Sequence, residues 1–502
     1  MFGDGGVFSL YTAGLANTLQ SDVLLTLLAG TVIGVIFGVI PGLSATIGVA
    51  IFTPLTFTMS TESAFALLLG IYCGSTYGGS ISAILVNIPG TISSVMTVND
   101  GYPLTLKGEA GRAIGLATTS SFLGGIISVI LLAFFAPVIA AMAIRLSAHE
   151  YFAVCLFGIS VIAYVSQGTM LKGFIAGTIG FLLSTIGMES IQAFPRFTFG
   201  STELLNGLEM IPLMVGVFGF AEVLRMAEKG SAGYTRVKEF GRVLPSLWEM
   251  VKLSSTLVRG SAIGVFIGAV PATGGTIAAI ISYGLEKRIS KHPETFGRGE
   301  YRGIVGPESA NNAASGGAMI PMLTLGIPGD VVTAILIGAL ILHGLTPGPL
   351  LFTNNPEVVS SIFISMALAN FAFLGMGLLA AKYFARVISL PRPMLLTMIL
   401  TLAIVGTYAI RNSLFDVWVL VFSGIGGFFL TKVGIPVAPL VLGFILGPMI
   451  EKYLRQALML SFGNPMDFIL RPICATFLGL TLLVIVSPYL VKKLFRTKPE
   501  LG

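Results

Sequence analysis

Two short stretches decide how this chain is read: NIPGT at 87–91 and GIPGD at 326–330. Each places a Pro-Gly pair inside an otherwise apolar run. Proline removes a backbone donor and clashes with the preceding turn, and the glycine after it accepts whatever backbone angles follow. A buried helix is therefore interrupted twice by nearly the same word. In a membrane such a break persists only where a neighbour or a water-filled cavity satisfies the freed backbone groups.

The surrounding composition is that of a bilayer protein. The chain has 502 residues, 54% hydrophobic and 10% charged, with a mean hydropathy of +0.92. A soluble domain carries about a quarter charged residues. Apolar runs long enough to span a bilayer recur throughout, and a continuous run such as 119–143 does not suit the alternating strands of a β-barrel. The expected fold is an all-α polytopic membrane protein of about 11–12 transmembrane segments. The net charge of +6 lies in short loops and the C-terminal tail, as cytoplasmic anchors do, and does not indicate nucleic acid. Cys73, Cys155 and Cys474 lie in apolar segments and read as small buried residues, with no disulfide inferred. No basic region precedes the first apolar run, so no cleavable signal peptide is expected. The three histidines show no metal-ligand spacing.

The breaks belong to an internal duplication. GVIPGLSATIGVAIF (38–52) resembles GAVPATGGTIAAIIS (268–282), and STYGGSISAILVNIPG (75–90) resembles AASGGAMIPMLTLGIPG (313–329) with one residue added. GFLLSTIGM (180–188) resembles GFFLTKVGI (427–435), and PLMVGVFGF (212–220) resembles PLVLGFILG (439–447). The four matches keep their order, which chance similarity of Gly-rich sequence rarely does. They divide the chain into an N-terminal segment (1–20), a first repeat (21–226), a linker (227–250), a second repeat (251–455), and an extra helix with a basic tail (456–502).

Charge suggests that the repeats face opposite ways. The loop near 58–62 has only Glu62, whereas its counterpart at 286–306 holds Lys287, Arg288, Lys291, Arg298 and Arg302. The loop after NIPGT carries Lys107 and Arg112, but 303–381, after GIPGD, contains no Lys or Arg. Under the positive-inside rule, equivalent loops then lie on opposite sides and the repeats are inverted. The linker (Arg225, Lys229, Arg236, Lys238, Arg242) and the tail (Lys492, Lys493, Arg496, Lys498) fall in the cytoplasm, and the N-terminus falls outside. Arg411, Lys452 and Arg455 land on the wrong side in this scheme.

Inverted repeats with interrupted helices at matching positions point to a transporter's binding site. A broken helix offers carbonyls for a cation on one side and N–H groups for an anion on the other. Two re-entrant tips are expected at PGLSAT (41–46) and PATGGT (271–276), with Pro41, Gly42, Ser44, Thr46, Thr273, Gly274, Gly275 and Thr276 as candidates. The two breaks contribute Asn87, Pro89, Gly90, Thr91, Pro328, Gly329 and Asp330. The Gly-Gly stretches before them add Gly78, Gly79, Ser80, Asn311, Asn312, Ser315, Gly316 and Gly317. The plainer readings stand beside these. A Gly-Pro kink often serves packing alone. Asp330 is either a functional intramembrane carboxylate or an N-cap facing water. Asn311 and Asn312 could simply join helices. Asp100 reads as the start of a loop, NDGYP, rather than a ligand. Arg196 reads as a surface or partner contact, and Tyr72 and Tyr77 as core or belt aromatics without a role.

These same residues resemble a known family, the large membrane subunit (TctA type) of tripartite tricarboxylate transporters. The resemblance is carried by IPGLSATIGVA (40–50), YGGSISAILVNIPG (77–90), DGYPLTLKGEAGRA (100–113), HEYF (149–152), RFTFG (196–200), PESANNAASGGAMIPMLTLGIPGD (307–330) and GLTPGPLLF (344–352). Met188 and Arg411 depart from the family pattern, which more usually has polar or small residues there. The resemblance implies an ion-coupled importer of carboxylates, citrate being the namesake, in the bacterial inner membrane, driven by Na⁺ or H⁺ and with no cofactor. It implies two partners: a periplasmic solute-binding protein (TctC type) that delivers the substrate, and a small four-helix membrane subunit (TctB type). An elevator-like slide is favoured by analogy with other hairpin-containing transporters. Two alternatives are an intramembrane aspartyl protease using Asp330, which would need a second carboxylate, and a passive channel or scaffold.

Overall fold

The computed structural model describes residues 12, 14–165, 170–189, 191, 193–229, 241, 243–271, 273–387 and 390–494. Arg236, Lys238 and Arg242 of the linker, Arg496 and Lys498 of the tail, and residues 1–11 of the N-terminal segment lie outside the described residues. Among the described residues, nine helices are long and apolar enough to cross a membrane, and five shorter apolar helices accompany them. The only strands among the described residues are an antiparallel two-residue pair, β1 (Gly187–Met188) and β2 (Pro195–Arg196). The protein is an all-α polytopic membrane protein.

The chain forms two compact units, one of residues 1–144 and 209–429, the other of 145–208 and 430–502. In the first unit, α1 (Ser21–Val39) and α2 (Ala45–Phe52) form a hairpin, followed by the long helix α3 (Thr61–Val86). The chain then breaks, passes a short 3₁₀ turn (Ile92–Ser94) and continues as α4 (Val95–Leu106) and α5 (Ala110–Ala143). The same unit contains α8 (Met210–Glu228). The order of elements then recurs: a hairpin of α9 (Leu247–Ala269) and α10 (Gly274–Ile289), the long helix α11 (Arg302–Leu325), a break, and α12 (Val331–Leu342). After these come α13 (Pro356–Leu379), α14 (Arg392–Arg411) and α15 (Leu414–Lys432).

Small residues let these helices touch backbone to backbone, the usual way helices associate where lipid removes the hydrophobic drive. A Cβ on Gly34 of α1 would lie 2.5 Å from the Ile71 carbonyl oxygen of α3. Its counterpart Gly264 of α9 meets the Ala310 carbonyl of α11 at 2.3 Å. Gly78 packs on Gly38 and Val35, and Gly317 packs on Gly268 and Val265. These contacts correct one detail of the sequence alignment. Matching Gly-Gly with Gly-Gly required an added residue, but packing pairs Gly78 with Gly317, so no residue is added. Both long helices then end on a left-handed residue at the same register, Asn87 (φ 60°) and Gly326 (φ 70°), a normal helix stop. Past each stop the proline-glycine turn folds back on its own helix: the Gly90 N–H donates to the Gly79 carbonyl at 3.2 Å, and Gly329 rests on Ala318.

The matching elements also exchange partners. Helix α2 packs against α12, and α10 packs against the 3₁₀ turn and α4. Lys107, after α4, donates to the Arg298 carbonyl at 2.7 Å in the loop that follows the second hairpin. Reciprocally, His343, after α12, lies 3.3 Å from the Thr56 hydroxyl in the loop that follows the first hairpin. Asp100 is not the start of a loop. It sits within α4, fully buried, and accepts the N–H groups of Gly297, Gly299 and Glu300 at 2.8–2.9 Å. Clamping that loop and being buried outweigh the turn preference of the Asn-Asp-Gly sequence.

A third recurrence involves the remaining anchors. Gly216 of α8 crosses α15, where a Cβ on Gly424 would meet the Gly216 carbonyl at 2.9 Å. The second unit is built from α6 (Ala148–Val165), α7 (Met170–Ser184), α16 (Val437–Leu460) and α17 (Pro472–Leu494). There Gly443 of α16 meets the Gly177 carbonyl of α7 at 2.2 Å. These four glycines occupy matched positions of the repeat. Two of the three charges foreseen on an unfavourable side are ion-paired, Arg411 with Glu209 and Arg455 with Glu451 at 2.9 Å, and the Lys452 amine lies 6.0 Å from the centre of the Tyr453 ring. Arg196 forms a two-pronged pair with Glu451 at 2.7 and 3.0 Å.

Candidate functional site

The second break lies inside the protein. Gly326, Ile327, Pro328 and Gly329 are buried, whereas Asn87 and Ile88 of the first break are exposed. Asp330 opens α12 as its N-cap. Its Oδ1 accepts the Thr333 N–H at 2.7 Å, and its own N–H donates to the Thr333 hydroxyl at 2.8 Å. The second carboxylate oxygen is used elsewhere: Oδ2 accepts the Tyr72 hydroxyl of α3 at 2.6 Å. Asp330 is thus an N-cap and, at once, a link between the two halves of the chain.

Asn311 of α11 makes a parallel link. Its Nδ2 donates to the Thr76 carbonyl of α3 at 3.3 Å, one turn from Tyr72. The second tip closes over both residues. Gly274 adopts φ +61°, 3.6 Å by a hypothetical Cβ from the Asp330 Cβ, and a Cβ on Gly275 would come within 2.4 Å of Asn311 Oδ1. Only glycine lets the tip lie this close. Thr273 turns its hydroxyl back to the Val270 carbonyl at 2.9 Å, so α10 begins with no side-chain cap from a described residue. The uncapped N–H groups at Gly274, Gly275 and Thr276 therefore place a partial positive charge beside the Asp330 carboxylate, which itself caps the start of α12. The arrangement can hold an anion on backbone N–H groups and a cation on Asp330.

The remaining candidates are placed differently. Ser44 caps α2 by accepting the Ile47 N–H at 3.4 Å. Near it Leu43, Ile47 and Ile51 pack with Val223, Met226 and Ile399 in an apolar cluster. Pro41 and Gly42 precede Leu43 at this first tip, and Thr46 is half-buried. None of the described contacts brings this tip to Asp330 or Asn311. Thr91 lies against Gly79 and bonds Ser94 at 3.1 Å, and Ser80 donates to its own helix at Tyr77. Asn312 also turns inward along its helix, to the Glu308 carbonyl at 3.1 Å, and Ser315 donates to Asn312. Gly78, Gly316 and Gly317 serve close packing, Gly316 against Ser128 of α5. A cavity of about 510 Å³ bounded by Glu109, Arg112, Ser246 and Glu249 lies outside this group of residues, and its charges pair with one another.

Tyr72, read from the sequence as an aromatic without a role, is instead the hydrogen-bond partner of Asp330. The duplication itself held the signal, because the register that pairs Asn87 with Gly326 pairs Tyr72 with Asn311.

The chain matches the profile of the Tripartite tricarboxylate transporter TctA family over residues 24–442. It belongs to that family. It is 38% identical over 480 residues, 96% of each chain, to an uncharacterized 52.8 kDa protein in the TAR-I ttuC' 3' region of Agrobacterium vitis. It is also 42% identical over 223 residues to an uncharacterized protein in the TAR-II ttuC' 3' region of the same organism, covering 44% of this chain and 92% of that one. No solved structure matches the chain. Membership of the TctA family makes the protein a component of a tripartite transport system, with TctB- and TctC-type partners implied in general. The match spans Asn311, Asp330 and both breaks.

Proposed function

We propose that this chain is the membrane carrier of an ion-coupled importer of carboxylates, working by alternating access. A periplasmic solute-binding protein delivers the substrate, a small four-helix subunit completes the complex, and Na⁺ or H⁺ drives uptake across the bacterial inner membrane. The observation that carries this reading is the meeting of Asp330 with Tyr72 beneath the glycine tip at Gly274–Gly275. It joins a broken helix, a re-entrant tip and the opposite half of the chain, the construction expected of a carrier site. A substrate carboxylate suits the uncapped N–H groups at the start of α10, and Asp330 ties that tip to Tyr72 of the opposite half.

The repeats 21–226 and 251–455 are read as inverted, with the N-terminus periplasmic and the C-terminus cytoplasmic. Reciprocal loop contacts support this. Lys107 after the first break reaches the loop after the second hairpin, and His343 after the second break reaches the loop after the first. Each long helix has these loop types toward opposite ends, so copies facing the same way would instead bring like loops together. An elevator-like slide of the hairpins and broken helices is the favoured motion.

The test is uptake of the delivered carboxylate by the reconstituted three-part complex, with and without an imposed Na⁺ or H⁺ gradient. Equal uptake under both conditions rules out coupling. Asp330→Ala and Asn311→Ala abolish uptake while the protein remains inserted. A protease reading is disfavoured because the side chains bonded to the Asp330 carboxylate are Tyr72 and Thr333, not a second carboxylate. Substrate cleavage that is lost in Asp330→Ala would restore it, and single-channel conductance would indicate a passive pore.

A further inference from the structure

Glu308 is fully buried, with no exposed surface, on α11 one turn before Asn312. One carboxylate oxygen accepts the Thr97 hydroxyl from α4, and the other accepts the Ser121 hydroxyl from α5 at 3.0 Å. No Lys, Arg or His among the described residues forms an ion pair with it. An ionised carboxylate buried in a bilayer with two neutral donors and no counter-charge is costly. Such a group must hold either a proton or a metal cation for at least part of its working cycle.

We propose that Glu308 is the proton-binding group that couples this carrier to a proton gradient. The inference rests on the carrier function proposed above and deepens it by naming the ion and the residue. Two features favour a proton over Na⁺. Na⁺ sites in such folds use runs of carbonyls freed by unwinding, but Glu308, Thr97 and Ser121 all lie on helix that is not unwound. The prolines in these helices free single carbonyls only, Pro307 that of Gly303 and Pro103 that of Asn99. The two hydroxyls fit both states of a titrating acid, because each donates to the carboxylate and can turn to accept from the neutral carboxyl. Thr97 also lies on α4, the segment beyond the first break, while Glu308 lies on the helix that carries Asn311. A change of charge at Glu308 therefore acts on elements from both halves.

Several titratable groups on the elements around Glu308 are engaged with other partners. Tyr77 of α3 bonds Thr118 of α5 at 2.8 Å, and Asp100 of α4 is held by the loop N–H groups and Tyr283. Glu286 of α10 pairs with Arg259 of α9 at 2.7 Å. In the cycle, Glu308 takes a proton from water on the entry side and becomes neutral. It then releases the proton to water on the other side and returns to the carboxylate bonded by Thr97 and Ser121.

Two measurements on the full-length protein test this. In infrared difference spectra across a pH step, the wild type shows a C=O band of a buried protonated carboxyl that disappears in Glu308→Gln. In Thr97→Val, which removes a donor to the ionised form, the same band persists to higher pH. The second measurement uses citrate as the probe carboxylate with the complete complex in proteoliposomes. Glu308→Gln retains exchange across the membrane, but accumulation under an inward proton gradient falls to the level reached with no gradient. The proposal is overturned if the wild type and Glu308→Gln spectra coincide, if Glu308→Gln still follows the proton gradient, or if a Na⁺ gradient alone drives the wild type. If the wild-type complex moves no citrate, the carrier reading has failed for that probe, and the infrared result still decides the claim for Glu308.

Discussion

Gly275→Ala probes the contact between the second tip and Asn311 more sharply than removing either residue. The new methyl would lie 2.4 Å from Asn311 Oδ1 and 3.2 Å from the Asn311 carbonyl oxygen. A small backbone shift absorbs the second contact. The first requires the amide to swing away, which breaks its bond to the Thr76 carbonyl at 3.3 Å. The lost bond is worth about 1 kcal/mol, and an off-minimum rotamer adds about 0.5–1.5 kcal/mol. Alanine returns about 0.4–1 kcal/mol by restricting the unfolded chain. The net cost is about 0.5–2 kcal/mol, or about a 2- to 30-fold shift of the folding equilibrium. In an Asn311→Ala background the clash is gone, so the same change becomes neutral or mildly stabilising. The assay is a double-mutant cycle on reversible unfolding in mixed detergent micelles, with Gly284→Ala, which meets open space, as the control. An equal cost in both backgrounds would refute the contact and with it the closure of the tip over the site.

Tyr72→Phe keeps the ring and removes the donor to Asp330. It should destabilise the protein by about 1.5–3 kcal/mol if Asp330 is charged, and a cycle with Asp330→Asn should show the two effects to be non-additive. Gly90→Ala would place a methyl 1.9 Å from the Gly38 carbonyl oxygen. Overpacking against backbone costs about 1–3 kcal/mol or more, so the variant should fail to accumulate as folded protein in a fluorescence-detected gel-filtration assay. Gly329→Ala, which meets the Ala318 backbone at 2.5 Å, should behave alike, since the two positions match in the repeat. Arg196→Ala strips Glu451 of its two-pronged partner but leaves Arg455 bonded to it. It should lower the thermal midpoint and leave uptake intact.

The class of fold and the two breaks were legible because each has a strong local cause. Lipid demands long apolar helices, and only Pro-Gly interrupts them so abruptly. Partner choice was less legible. Nothing local indicates that Tyr72 meets Asp330, since that contact depends on how the halves interlock, and the one available signal was its register with Asn311. Gly78, Gly79, Gly316 and Gly317 looked like ligand-facing glycines, but the same residue type also serves backbone crossing, and sequence cannot separate the two uses. Asp100 was misjudged for a related reason. Its neighbours favour a turn, yet the N–H groups that claim its carboxylate come from a loop almost two hundred residues away in the chain.

The most direct test of the site is a high-resolution map of the complex with a transported carboxylate bound. The account predicts ligand density between the tip at Gly274–Thr276 and the residues Asn311, Asp330 and Tyr72. Density elsewhere, with Asp330 and Asn311 free of ligand, would contradict it.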